Sequence, residues 1–122
     1  MSDIIRISEQ GKRQLIGLKR ITKIDQWNIL CRWALTNSLR ERSPIRNLDL
    51  GPMSNIEMTW ETFCGPHSSC IVALVNRSLN HAHMHGEFST TTSLCIAHIH
   101  RGIANLSHAK LDIRQLVLAS LA

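Results

Sequence analysis

Apolar residues along this chain recur mostly at helical spacing, interrupted by two short stretches that alternate instead. The first stretch, Ile4 to Ser8 (IIRIS), sets Ile5 and Ile7 against Arg6 and Ser8, the period-2 pattern of a short strand buried on one side. Ser8 has a side chain that can cap a helix, and the spacing after it predicts a helix from Glu9 to Lys23. At roughly 100° per residue, Leu15, Leu18 and Ile21 share one face of that helix. Lys12, Arg13, Lys19, Arg20 and Lys23 gather on the other side, with Ile16 in their midst. A core stripe therefore faces a basic stripe.

Thr22 to Asp25 reads as a tight connection, with Asp25 as the cap of a helix from Gln26 to about Arg42. Trp27, Leu30, Cys31, Ala34 and Leu35 fall at i, i+3, i+4, i+7 and i+8, while Ile29, Trp33 and Leu39 project elsewhere. A helix that is apolar on two sides is expected to be covered on two sides, one of them by another subunit or, as the alternative, by the C-terminal half of the same chain. Its tryptophans should then be buried. Ser43 to Asn55, with Pro44, Gly51 and Pro52, breaks the helix. Ile56 to Phe63 (IEMTWETF) alternates again and predicts a second short strand. A helix follows from Ser68 or Ser69 to about His81, and its all-round apolar run Cys70 to Val75 makes it the expected central core helix. Cys95, Ile96, Ile99, Ile103 and Leu106 form the stripe of a further helix from Thr91 to Leu106, and Asp112 with Gln115 opens a last one through Leu121. The expectation is a mainly α, compact single-domain fold of about five helices with one or two short strands.

Length agrees with one domain spanning residues 1–122, since a chain of this size buries roughly two-thirds of the surface it exposes when unfolded. The net charge of +5 is unevenly placed. Met1 to Arg46 holds ten Lys/Arg against four Asp/Glu, and the remainder holds four against five. A clustered positive excess points to a polyanion, with DNA or RNA ahead of an anionic membrane. The N-terminus lacks the pattern of a signal peptide, and the longest apolar run, Cys70 to Val75, is far short of the roughly 20 residues of a membrane span. Cytoplasmic location and free, reduced cysteines are the expectation for Cys31, Cys64, Cys70 and Cys95.

Catalytic and metal chemistry find little support in the motifs. His81, His83 and His85 alternate, and His98 with His100 repeats the spacing, but two residues apart on a helix point roughly 160° apart and cannot share an ion. His81 and His85 could ligate at i, i+4 with a cysteine, yet no full ligand set is present, and neither metal nor cofactor is expected. The glycines form no phosphate-cradling loop, and neither GxSxG nor HExxH occurs. Cys70, near a helix start, and Cys31, beside Arg32, are the two candidate reactive thiols. The basic stripe is the stronger signal, because Lys and Arg spaced along one helix side match phosphates without reading sequence. A strand followed by two helices also has the outline of a ribbon-helix-helix unit.

The segment from Arg6 to Leu121 resembles the DndE family of the bacterial DNA sulfur modification (phosphorothioation) system. WNILCRWAL at Trp27 to Leu35, TWETFCG at Thr59 to Gly65 and HIHRGI at His98 to Ile103 carry the resemblance, and GPHSSC at Gly65 to Cys70 departs from the acidic stretch of the family. The resemblance implies a non-catalytic helical subunit that forms a homotetramer and binds double-stranded DNA, preferring nicks, through surface lysines. It implies partners among the other sulfur modification proteins. Carried onto this chain, it makes Lys12, Arg13, Lys19, Arg20 and Lys23 the candidate DNA contacts, to which the strand of the ribbon-helix-helix outline adds Arg6. The rival readings are a sulfur-transfer or DNA-nicking enzyme using a Cys or His, and a scaffold whose basic face docks a protein.

Overall fold

A computed structural model of the chain describes residues 3–41, 43–46, 49–82 and 90–109. Along the chain run β1 (Ile4–Ser8), α1 (Glu9–Thr22), α2 (Trp27–Arg40), β2 (Met53–Thr59), α3 (Trp60–Cys64), α4 (Ser68–Ala82) and α5 (Thr91–His108). The fold is mainly helical, with one two-stranded antiparallel sheet. Ile5 pairs with Met58 and Arg6 with Glu57, and the register shifts between Arg6 and Ser8. Alternation then does its work: Ile5, Ile7, Ile56 and Met58 turn inward while Ile4, Arg6 and Glu57 turn out.

Ser8 ends the strand and starts α1. Its hydroxyl accepts the Gly11 N–H at 3.0 Å, and its own N–H donates to His100 Nε2 at 3.0 Å, so the β1–α1 junction is pinned to α5. Ser8→Ala is expected to lower unfolding free energy by about 1 kcal/mol in urea denaturation, because the Gly11 N–H loses its partner. As predicted, Leu15 and Leu18 enter the core; Ile21 stays half-buried at its edge.

The centre of the molecule is the α2–α5 pair. Leu30, Cys31, Ala34 and Leu35 of α2 are buried against Leu94, Cys95, Ile99 and Ile103 of α5. The two backbones come so close at one crossing that a Cβ added to Gly102 would collide with the carbonyl of Ala34. This displaces the sequence expectation for α4: only Ile71 and Val75 of its apolar run are buried, while Cys70, Ala73 and Leu74 are exposed. A run that is apolar on every side does not say which side is covered.

Two further expectations need correction. The cap position of α2 is Gln26 rather than Asp25, without a side-chain hydrogen bond, and the helix ends at Arg40. The second strand begins at Met53 and ends at Thr59, not at Phe63, because the Thr59 hydroxyl accepts the Thr62 N–H at 3.1 Å and starts a helical turn. Trp60, Phe63 and Cys64 then follow helical spacing. Within the single chain the tryptophans of α2 are not both covered: Trp27 is half-buried, and Trp33 is 53% exposed. The predicted last helix, Asp112 to Leu121, lies outside the described residues, as do His83 and His85.

Candidate nucleic-acid interface

The six basic candidates occupy three settings. Arg6 and Lys12 lie toward the sheet and are engaged: Arg6 Nε meets Glu57 Oε2 at 3.1 Å across the strands, and Lys12 Nζ donates to Asn55 Oδ1 at 2.7 Å. With side chains 61% and 58% exposed, the Arg6–Glu57 pair is worth at most about 1 kcal/mol and can exchange for another anion. Arg13 stands alone beside Gln10, Asp49 and Leu50. Lys19, Arg20 and Lys23 are brought together.

These three border a shallow cleft of about 520 Å³ completed by Ile16, Asp25 and Trp27. Lys19 Nζ sits 5.1 Å from the centroid of the Trp27 ring, a cation–π contact that holds the ammonium over an aromatic face. Trp27 is the member that sequence reasoning assigned to packing alone. Its signal was distance along the chain, eight residues past Lys19 across a four-residue connection, which brings it back beside the end of α1. The C-terminal carbonyls of α1 also favour cations here, with Lys19 and Arg20 in the last turn.

Lys23 caps α1 with φ 63° and ψ 16°, the left-handed region where glycine is usual, and its N–H donates to Lys19 O at 2.9 Å. Holding a lysine there costs on the order of 1 kcal/mol. The Thr22 hydroxyl fixes the same corner, donating to Leu18 O at 2.8 Å and accepting the Ile24 N–H at 3.3 Å.

His98, His100 and three of the four cysteines are structural. His98 lies between two serines, with Nδ1 2.8 Å from Ser38 Oγ and Nε2 2.9 Å from Ser78 Oγ. Because the Ser78 hydroxyl donates its proton to Val75 O at 2.6 Å, it must accept from His98 Nε2–H. Nδ1 is then bare and accepts from Ser38, whose oxygen in turn accepts Arg101 Nε–H at 2.8 Å. Burial, with the Arg101 charge nearby, holds the His98 pKa down at about 4. His100 is the other tautomer: Nε2 accepts from Ser8 and Nδ1–H donates to Ile96 O at 2.9 Å, and burial lowers its pKa too. Arg101 also reaches Ser38 O and Ser43 O, each at 2.9 Å, and Glu41 at 3.1 Å, fastening the end of α2 to α5.

Cys31, Cys64 and Cys95 are buried, and burial raises all three thiols, Cys31 to about 12. The Arg32 charge therefore does not make Cys31 a nucleophile. Cys70 is the exposed thiol. Among the described residues no group of three or more His, Cys, Asp or Glu could hold a metal ion, and no helix is long and apolar enough to cross a membrane.

A family model described as DNA sulphur modification protein DndE matches residues 4–113. The chain belongs to the DndE family. DndE membership places it in the DNA sulfur modification system and makes the other proteins of that system its plausible partners. No curated protein matches the chain. The match ends at residue 113, so it takes in every element from β1 to α5.

Proposed function

We propose that this DndE-family chain is a non-catalytic, DNA-binding component of the bacterial phosphorothioation system, acting in the cytoplasm as a homotetramer. Duplex DNA, preferentially at nicks, lies on the basic face of α1. The observation that carries this reading is the grouping of Lys19, Arg20 and Lys23 around Trp27. Cations spaced along one helix end neutralise a phosphate backbone, and an aromatic face beside them suits an unpaired or frayed base, as a nick offers. Arg13, Lys12 and Arg6 extend the face along α1 toward β1. The 53% exposed Trp33, on the side of α2 away from its buried stripe, supports assembly of subunits through that surface. The enzymatic alternative rests on Cys70, the exposed thiol.

Replacing Lys19, Arg20 and Lys23 by Ala is expected to reduce the slope of log affinity against log salt by about 3, measured on nicked and intact duplexes by fluorescence anisotropy. An unchanged slope would sink the assignment. Lys23→Gly separates charge from stability. It should raise unfolding free energy by about 1 kcal/mol by relieving the left-handed backbone, while weakening DNA binding. A Cys70→Ser variant that binds DNA normally yet abolishes modification in cells would favour the enzymatic alternative.

A further inference from the structure

A second cationic surface lies on the side of α5 away from α1. His98 reaches Ser78 of α4, whereas His100 reaches Ser8 at the start of α1, and residues two apart on a helix point roughly 160° apart. The helices α4 and α1 therefore flank α5 on nearly opposite sides. Between α4 and the C-terminal end of α2 opens a cleft of about 510 Å³, lined by Arg40, Arg77 and Arg101 together with Ser78, His98 and Leu74. Three elements thus each contribute one arginine.

Charge balance in this cleft is strongly one-sided. Among the described residues its single carboxylate, Glu41, is already held by Arg101 at 3.1 Å, by the Ser43 hydroxyl at 2.7 Å and by Asn105 at 3.2 Å. Arg40 and Arg77 are exposed, and among the described residues neither takes part in an ion pair. Arg101, the third arginine of the cleft, is held in place by both oxygens of Ser38 and by Glu41. His98 adds none, because its ring is neutral and its Nε2–H is used on Ser78. Leu74, 45% exposed, supplies an apolar rim.

We propose that this cleft is an oxyanion-binding site that takes a phosphate-type group between the guanidinium groups of Arg40 and Arg77. Planar guanidinium forks lining one cleft suit the oxygens of a tetrahedral anion, which single ammonium groups would meet only as point charges. The site goes beyond the DNA contact on α1, shares no residue with it, and stands or falls separately.

Titration of the full chain with inorganic phosphate at constant ionic strength, followed by amide chemical shifts, tests it. Resonances of Arg40, Arg77 and Ser78 are expected to move with a dissociation constant of roughly 1 mM. Arg40→Ala with Arg77→Ala should weaken this by about tenfold or more. Both side chains are exposed, so the double variant keeps its fold, which its remaining spectrum verifies. The Lys19, Arg20 and Lys23 variant should bind phosphate as the parent does. Absence of shifts, equal shifts with chloride, or undiminished binding by the double variant would overturn the site. Displacement of phosphate by a duplex oligonucleotide identifies the group as a nucleic-acid phosphodiester, and retention identifies it as a free oxyanion.

Discussion

Gly102→Ala should lower the unfolding free energy by about 3 kcal/mol or more, while the same exchange at Gly17 should raise it by about 1 kcal/mol. The two glycines sit inside helices, so backbone conformation is not the difference between them. A Cβ on Gly17 meets nothing within 4 Å, and alanine there simply gains helix propensity. At Gly102 the added carbon falls on the carbonyl group of Ala34, backbone against backbone. No rotamer change relieves that contact. The α2 and α5 axes must separate, and separation loosens Leu30, Cys31, Ile99 and Ile103 together, since they share the same seam. Overpacking of a well-filled core ordinarily costs about 1–3 kcal/mol, and here the gain in propensity offsets only about 1 kcal/mol of a larger loss. Urea denaturation of the two variants side by side checks it. A stable Gly102→Ala protein would mean that the α2–α5 crossing is wider than described.

How much of this was legible in the sequence follows from which signals were local. Strand Ile4–Ser8, its Ser8 cap and the basic stripe of α1 were all readable, because period and capping act over a few residues. The departures arose where two local signals competed. Ile56, Met58 and Trp60 alternate, yet Trp60, Phe63 and Cys64 also fit helical spacing, and the Thr59 hydroxyl decides between them. Asp25 has a better capping side chain than Gln26, but the left-handed turn at Lys23 sets where α2 starts. Which helix lies at the centre was not legible at all. Periodicity shows that Cys70 to Val75 is apolar, but only the close approach allowed by Gly102 makes α5 the partner of α2. At the candidate site the cations were readable one by one. Their grouping around Trp27 required the turn that folds α2 back against α1.

Mild acid should destabilise the fold, by on the order of 3 kcal/mol from His98. In the folded chain the ring is neutral down to about 4, whereas unfolded it titrates near its ordinary 6.5. Between those values the unfolded state takes up a proton that the folded state refuses, so stability falls as pH drops through the window and levels off below it. Each pH unit in the window is worth about 1.4 kcal/mol. The cause is a chain of hydrogen bonds running in one direction, from Arg101 through Ser38 and His98 to Ser78 and Val75 O. Protonated Nδ1 would point a second donor at Ser38, which already accepts from Arg101, and would set two cations side by side. His100 acts with the same sign, since a proton on Nε2 would face the Ser8 N–H. The Ser43 hydroxyl holds the Glu41 carboxyl below its ordinary range, so its contribution is lost only toward the acid end of the histidine window. Urea denaturation at about pH 7 and about pH 4.5 measures the slope. His98→Gln provides the control, because an amide can accept from Ser38 and donate to Ser78 but cannot titrate. That variant should be less stable than the parent at neutral pH and lose most of the acid slope. Equal slopes in the two proteins would place the proton-sensitive group elsewhere.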